Sequence, residues 1–509
     1  MHADVLILGA GAAGGAVARA LAPTGKSILL LNREAFLPRE AENWSPDLVY
    51  RRERYKTEDR WRDTLSDTDF RASMIYHVGG NTKTYGAAML RMRPEDFGAV
   101  QTEDGLSPAW PISYDDLAPY YDRADADYFV HGERGSDPFE PPAGPYPHPA
   151  LAHDPRIGEV GEKLRSVGLK PFALPMALLR NPEQDAGGPF VLRELFRAQG
   201  QETFDGYPDL TLLKADAETC GVRPALDYDN VALRTGVTVT RLVASASGRE
   251  ITGVEAEIDG QRTTFSGDVV VLACGAVNTA DLLLRSEVAN GSDRVGRHYM
   301  RHITSKFYSV DTRTPNETYF QKTLAVNDYY WGDGAHVGPG DGGTPLGHVH
   351  LMGKHLPAMI GADLKLSDDE AEAVSRHSLD WWVQGEDLPL AENRVRLGVG
   401  GRIEIDYRLT NEGAHARLMD LFEEKLRAVG FDRFFRVPMP LRVMNHQCGT
   451  ARMSADPADG VVDPNGRSHE VDNLWIADAS VFPSSAATNP TLTIVANAYR
   501  TAERIAEAL

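Results

Sequence analysis

The sequence predicts a mixed α/β chain in which a parallel sheet is joined to a second domain, and three observations carry that prediction. Asp4–Leu8 and Ser27–Leu31 are apolar runs of strand length, separated by a glycine turn and an Ala-rich segment, Ala12–Ala22, of helical composition. Strand, turn, helix and strand within about 30 residues make a βαβ unit, and such units build parallel sheets. Val269–Ala273 and Leu474–Ala477 are unbroken apolar runs, the pattern of strands buried on both faces. Finally, 509 residues exceed what a single small core organises, so two domains sharing an interface are expected.

The remaining elements follow in chain order. Residues 137–149 carry six prolines, which predicts an extended loop. Residues 332–347 carry seven glycines and read as a long loop, either plain surface or a lid over a site. Leu418, Leu421, Phe422, Leu426 and Val429 share one face of a helix that stops near Gly430. Leu492, Val495, Tyr499, Ala502, Ile505 and Leu509 line a last helix. There is no internal repeat.

Composition excludes several classes. The net charge is −20, a field that repels phosphate backbones, so nucleic acid is not an expected partner. Three scattered cysteines, Cys220, Cys274 and Cys448, with no CxxC pair, form neither a disulfide framework nor a metal site. No run of 18 apolar residues suggests a membrane span, and His2-Ala3-Asp4 lacks the basic start of a signal peptide. A cytoplasmic protein without membrane attachment is expected, and its oligomeric state is open.

The first glycine turn carries chemistry. Gly9-Ala10-Gly11-Ala12-Ala13-Gly14 fits G-x-G-x-x-G between a strand and a helix. In that pattern Gly9 permits the turn, Gly11 lets backbone approach a pyrophosphate, and Gly14 allows close helix–strand packing. The ribose-binding position about 20 residues on usually holds an acid. This chain has Asn32, then Arg33 and Glu34. Asn32 can bond ribose hydroxyls, and Arg33 would suit a 2′-phosphate. The loop alone therefore leaves FAD, NAD and NADP open.

Three distant blocks narrow the choice. The first is His77-Val78-Gly79-Gly80-Asn81-Thr82, followed by Arg91, Arg93 and Asp96-Phe97. The second is Val271-Leu272-Ala273-Cys274-Gly275-Ala276, leading to Thr279. The third runs from Asn445-His446-Gln447-Cys448-Gly449-Thr450 through Ile476-Ala477-Asp478-Ala479-Ser480 to Thr488-Asn489-Pro490-Thr491. In this order they resemble the glucose–methanol–choline (GMC) family of FAD oxidoreductases. The resemblance implies an FAD domain made from residues 1–100, 210–300 and 440–509. It also implies a substrate domain from 101–209 and 301–439, built on a mainly antiparallel sheet. It assigns cofactor contacts to Gly9, Gly11, Ala12, Ala13, Gly14, Asn32, Arg33, Gly79, Gly80, Asn81, Thr82, Thr84, Val239, Cys274, Gly275, Asp478, Ala479, Asn489, Pro490 and Thr491. Members usually carry Glu where Asn32 stands, so the ribose contact falls to Asn32 or Glu34. Members with covalent FAD use a His where this chain has Thr84; His77, just upstream, is expected to pack, and the FAD to be non-covalent. Ala280 and Glu287 also depart from the family's second block.

The same resemblance places the catalytic pair at His446 and Asn489. An imidazole suits the base that takes a hydroxyl proton, and flavin N5 would accept the hydride. Asn489 would hold the substrate oxygen. The helix opening at Asn489-Pro490-Thr491 would turn free N–H groups toward the flavin's negative edge. Trp110–Leu117, Trp381–Pro389 and Asn393-Arg394-Val395 resemble the sugar-oxidising branch, with pyranose oxidases and bacterial glycoside 3-oxidases. Sugar recognition needs aromatic faces and polar groups, for which Tyr329, Tyr330, Trp331, Gln384 and Glu386 are the candidates. The expected reaction is oxidation of a C2 or C3 hydroxyl of a pyranose or glycoside, with electrons passed to oxygen or another acceptor. The alternatives are a dehydrogenase for another alcohol, with a protein or quinone acceptor, and a non-redox hydroxynitrile lyase on the same scaffold.

Overall fold

Alternation of burial with a two-residue period fails in the first strand because both its faces are covered, and that is what a central parallel strand requires. In the computed structural model, which describes residues 1–179, 204–210, 213–318, 320–334, 337–443 and 446–509, β1 (His2–Leu8) is buried from Val5 onward. Asn445, one residue of the third block, lies outside the described residues, as does 335–336 of the glycine-rich loop. Helix α1 (Ala12–Leu21) follows, then β2 (Ile28–Leu31), which pairs parallel to β1. The sheet grows outward through β3 (Val231–Arg234) beside β2. On its other side β1 pairs with the second half of β6 (Gln261–Leu272), in parallel. The first half of β6 belongs to an antiparallel meander with β4 (Thr238–Ala244) and β5 (Ile251–Ile258). The C-terminal strand Leu474–Ile476 closes the arrangement alongside the end of β6. Both apolar runs read from the sequence are thus buried parallel strands. Helix α2 (Ala276–Ser286) starts directly after β6.

A second sheet is antiparallel throughout. Its order is β11 (Arg433–Pro438), β7 (Ile303–Val310), β10 (Ser378–Gly385), β9 (His348–Leu351), β8 (Leu324–Val326) and an edge strand, Phe172–Ala173. Side chains alternate across it. Phe307, Val349, Leu351, Trp381 and Val383 form one face with Leu418, Phe422 and Leu426 of α3 (Glu412–Ala428). The other face carries Thr304, Lys306, His348, His350, Trp382 and Gln384, which are register partners. A four-stranded sheet that the sequence does not announce joins Arg60–Asp63 and Thr68–Arg71 to Arg394–Leu397 and Ile403–Asp406. The last helix, α4 (Thr491–Ala508), packs on α1 and on helix Tyr114–Asp127. Among the described residues no helix is long and apolar enough to cross a membrane.

Candidate active site

The glycine turn meets the geometric demands of a pyrophosphate cradle. Gly9 has φ +103°, and a Cβ on Gly14 would lie 1.9 Å from the Gly9 carbonyl oxygen, so neither position tolerates a side chain. A Cβ on Gly11 would meet nothing nearer than Gly80 at 3.9 Å. The backbone there faces open space. Helix α1 has Gly11 as its N-cap, with no side-chain cap and no acid in its first turn. Its first N–H groups, from Ala12 and Ala13 onward, are free for an anion. The paired glycines of the first block lie against this turn, because Gly79 N–H donates to the Ala10 carbonyl at 2.8 Å. Thr82 is buried, and its hydroxyl bridges the Gly79 carbonyl and the Ala217 N–H. Asn81, an exposed residue, accepts from Ile75 N–H at Oδ1 and donates its Nδ2 to the Met74 sulfur at 3.6 Å. Thr84 closes the short helix that starts at Gly80.

Two expected contacts look different in three dimensions. Asn32 is buried, its Oδ1 accepting from Ala10 N–H at 3.1 Å and its Nδ2 donating to the Glu34 and Tyr76 carbonyls at 2.7 and 2.8 Å. Both amide hydrogens are spent, so Asn32 braces the turn and has no hydrogen left to donate to a ribose. Arg33 forms a bidentate pair with Asp59 at 2.6 and 2.9 Å and lies over the Tyr76 ring. No free guanidinium remains there for a 2′-phosphate, which weakens the NADP reading. Glu34 is half-buried and 3.2 Å from His77.

The second and third blocks converge. Asp478 accepts from Gly275 N–H at 2.9 Å, from the Thr279 hydroxyl at 2.6 Å and from Ser480 N–H at 2.9 Å. It therefore pins the start of α2 to the 478–481 turn. Cys274 donates its thiol to the Leu8 carbonyl, burial pushing its pKa up to about 12. The space in front of Gly275 is open. The Ala479 carbonyl accepts from Gly449 N–H, which attaches the 446–450 segment to the same frame. Val239 lies on β4, where a bulge follows it, and Val237 N–H donates to the Asn32 carbonyl at 3.1 Å.

His446 meets the second sheet's polar face at Trp382. Its Nδ1 lies 3.1 Å from Nδ1 of His302, whose Nε2 lies 3.0 Å from the Ser485 carbonyl. A carbonyl only accepts, so His302 carries its proton on Nε2. With His302 neutral, its Nδ1 is an acceptor, and the proton between the rings belongs to Nδ1 of His446. Nε2 of His446 is left with a free lone pair. Both rings stay neutral: burial holds the pKa of His302 down at about 4, and burial with His302, His350 and Lys322 as neighbours holds that of His446 well below 6.5. Trp382, half-buried, sets its ring 5.9 Å from that of His446 at 61°.

The frame behind His302 is dense. Asp387 accepts from Arg301 N–H, Tyr407 and Thr410, and its backbone is bonded to the Ser485 hydroxyl. Burial raises the Asp387 pKa to about 6. Gln384 Nε2 donates to the Ala487 carbonyl at 2.6 Å, and its Oε1 accepts from Trp382. Two residues on, Asn489 opens α4 with a buried Oδ1 that has no partner, as does the Thr488 hydroxyl. Pro490 is the N-cap of α4, without a side-chain cap. An anion-seeking helix end and unpartnered amide and hydroxyl oxygens fit the polar edge of a bound flavin ring.

The predicted sugar contacts are rearranged. Gln384 is on the polar face, yet both ends of its amide are committed. β10 stops at Gly385, so Glu386 follows the strand rather than lying on it. Tyr330, Trp331 and Glu386 line one small cavity with Asp96 and Ala487. Its walls include Ile303 and Gly385, which belong to the sheet side opposite Trp382. The Tyr330 hydroxyl donates to Asp96, and Arg93 stacks on its ring at 3.9 Å. Burial raises Glu386 to about 7 and Asp96 to about 6. Tyr329 packs into the α3 core. Sequence reasoning missed His302, His348, His350 and Trp382 as site residues. The alternation His348-Val349-His350 was the available signal, since period two puts both imidazoles on one face.

A parallel sheet with an uncapped glycine turn, and an imidazole pair under a second sheet, together define a dinucleotide-cofactor enzyme. Family comparison makes this specific. The GMC oxidoreductase models match residues 3–304 and 432–498, and the chain belongs to that family. It is an FAD-dependent oxidoreductase acting on CH–OH groups. It is 29% identical to 6'''-hydroxyparomomycin C oxidase of Streptomyces lividus, over 99% of this chain and 92% of the relative. It is also 29% identical to paromamine 6'-oxidase of Streptomyces fradiae, over 99% and 91%. The large subunit of fructose dehydrogenase from Gluconobacter japonicus is 24% identical over 99% and 98%. Pyridoxine 4-oxidase shares the fold, with a TM-score of 0.67 at 19% identity over 98% of both chains.

Proposed function

We propose that the chain oxidises a secondary hydroxyl, at C2 or C3, of a pyranose or glycoside, with His446 as base and Asn489 as the group that orients the substrate oxygen. The supporting observation is the face above His446. A half-exposed Trp382 ring stands beside the imidazole, on a sheet face otherwise carrying hydrogen-bonding side chains. An aromatic surface next to polar groups is what a sugar ring requires. The full-length relatives named for aminoglycosides and fructose support a sugar-like substrate.

Each residue's part follows from its bonding. Neutral His446 takes the hydroxyl proton at Nε2, while its Nδ1–H remains on His302. Asn489 holds the substrate oxygen through its amide. FAD, non-covalently bound, supplies the acceptor for the carbinol hydride. The glycine turn and the start of α1 would hold its pyrophosphate, and the uncapped start of α4 would offer N–H groups to its negative charge. Proton removal by a positioned base contributes about 100- to 10,000-fold.

An anaerobic visible spectrum titrated with pyranoses and glycosides tests the reading. Bleaching of the flavin by a pyranoside, with a C2 or C3 keto product seen by NMR, is expected. A 6-aldehyde product would move the position and keep the substrate class; no bleaching by any pyranoside would refute the class. Admitting air and measuring peroxide separates oxygen from another acceptor.

A further inference from the structure

We propose that His348 and His350 form a substrate subsite, two neutral acceptors that receive hydrogen bonds from hydroxyls of the same sugar ring whose oxidation is proposed above. Both side chains are buried, at 0% and 1% exposure, on the sheet face that carries Trp382. His350 stacks parallel to Trp382, with ring centroids 6.5 Å apart, and Trp382 in turn touches His446. The two imidazoles are neighbours, with centroids 5.1 Å apart.

Their tautomers are fixed from behind. Asn327 Nδ2 donates to Asp137 at 2.7 Å, so its Oδ1 is the acceptor for His348 Nδ1–H at 2.5 Å. His350 Nδ1–H donates to the Leu351 carbonyl at 2.8 Å. In both rings Nε2 is therefore a bare lone pair, and both Nε2 atoms are buried with no partner in the protein. An orphaned buried acceptor is costly unless something donates to it, and two on adjacent positions of one face call for a ligand with two donors. Burial, with Lys322 near both rings, keeps them from protonating. They can only accept.

Charge selects among donors. The charged groups facing the pair are Lys322, bonded to Asp205 at 2.5 Å, and Arg93, bonded to Asp137. Each cation is matched by its own carboxylate, so no free carboxylate is left there to hold an ammonium, and a neutral hydroxyl fits. The ligand is a neutral polyhydroxylated ring.

The test uses flavin bleaching by methyl β-D-glucopyranoside, its monodeoxy analogues and the 2-amino analogue, with the wild-type holoenzyme and the His348→Leu, His350→Leu and His350→Gln variants. Each lost hydrogen bond is expected to cost about 3- to 10-fold in kcat/KM. Wild type should favour the parent sugar over at least one deoxy analogue, and the Leu variants should lose that preference while keeping their flavin. His350→Gln, which retains an acceptor, should restore it. Equal rates for parent and every deoxy analogue in the wild type would overturn the subsite without any variant. So would an unchanged preference in both Leu variants, or a preference for the amino sugar. Failure of every pyranoside to bleach the flavin would instead refute the substrate class on which the subsite rests.

Discussion

Removing His302 should impair the proposed base without touching substrate. Ser485 fixes the His302 proton on Nε2, and His302 Nδ1 then accepts from His446. This relay keeps the His446 lone pair on Nε2. In His302→Ala the two His446 tautomers compete without that bias, and a buried donor loses its partner. Loss of such a bond costs about 1–3 kcal/mol, or about 5- to 150-fold in rate. The assay is the anaerobic flavin-reduction rate as a function of pH, with bound flavin measured on the same samples. His302→Ala should lower kcat by that factor with KM little changed. His302→Asn, whose Oδ1 sits near the lost Nδ1, should recover most of it. The pH profile adds an independent readout. Burial is the first cause of the low His446 pKa and His302 the next, so replacing His302 should move the acid limb of kcat/KM up toward 6.5. A His302→Ala variant within twofold of wild type, with an unmoved acid limb, would refute the relay.

Three further outcomes follow. Asn489→Ala should lower kcat/KM per bound flavin, measured by absorbance, by about 10- to 100-fold, the worth of a hydrogen bond to a developing charge. Arg33→Ala should leave flavin content within twofold of wild type, because its guanidinium serves Asp59, whereas Gly14→Ala should yield colourless protein. Stability should fall in acid: burial lowers His131, His298, His302, His355 and His415 to about 4 and His350 to about 3. Their folded pKa values lie below 6.5, so this stability is full above pH 6.5 and is lost below it, at up to about 1.4 kcal/mol per pH unit for each. Asp96, Asp387 and Glu386, raised to about 6, 6 and 7, oppose the loss. Six against three leaves net destabilisation between pH 6.5 and 5, and a midpoint in urea that does not fall over that range would contradict it.

The parallel sheet was legible because its signals are local: an apolar run, a glycine turn and a helix lie within one short stretch, and Val269–Ala273 carries its own burial pattern. The antiparallel sheet was not legible from periodicity, since Ile303–Val310 and Ser378–Gly385 are buried on both faces and show little alternation. It was expected only through the family resemblance. The sheet joining residues 60–71 to 394–406 pairs strands more than 320 positions apart, and no local pattern encodes such a partner. Within the site, the glycine turn could be read because steric exclusion acts on neighbouring residues. The bracing role of Asn32 was not legible, for the opposite reason. Its amide hydrogens go to the carbonyls of Glu34 and Tyr76, and only folding brings Tyr76 there. Tyr330 and Glu386 have suitable chemistry, but both lie beyond strand ends, where no periodicity tells which side of the sheet they line.

The backbone around His446 shows why this centre needs so much support. His302, His446 and Ala486 all have left-handed backbones, with φ of +63°, +55° and +51°. Each costs a non-glycine residue about 1–2 kcal/mol. A glycine at 446 would relieve the strain and remove the imidazole, so the chemistry forbids the cheap solution there. The strain must be over-determined by neighbours. Asp387 does this for the 301–302 and 485 segments together, taking three donors while its backbone engages Ser485. Gln384 does it for 487. Both braces lie at or just beyond the end of β10, so one stretch of chain carries the Trp382 surface and also the restraint on the His302 segment. That shared origin couples the site's shape to its proton relay. A change that shifts the end of β10 should disturb proton abstraction and sugar discrimination together, whereas a change confined to His348 or His350 should alter discrimination alone.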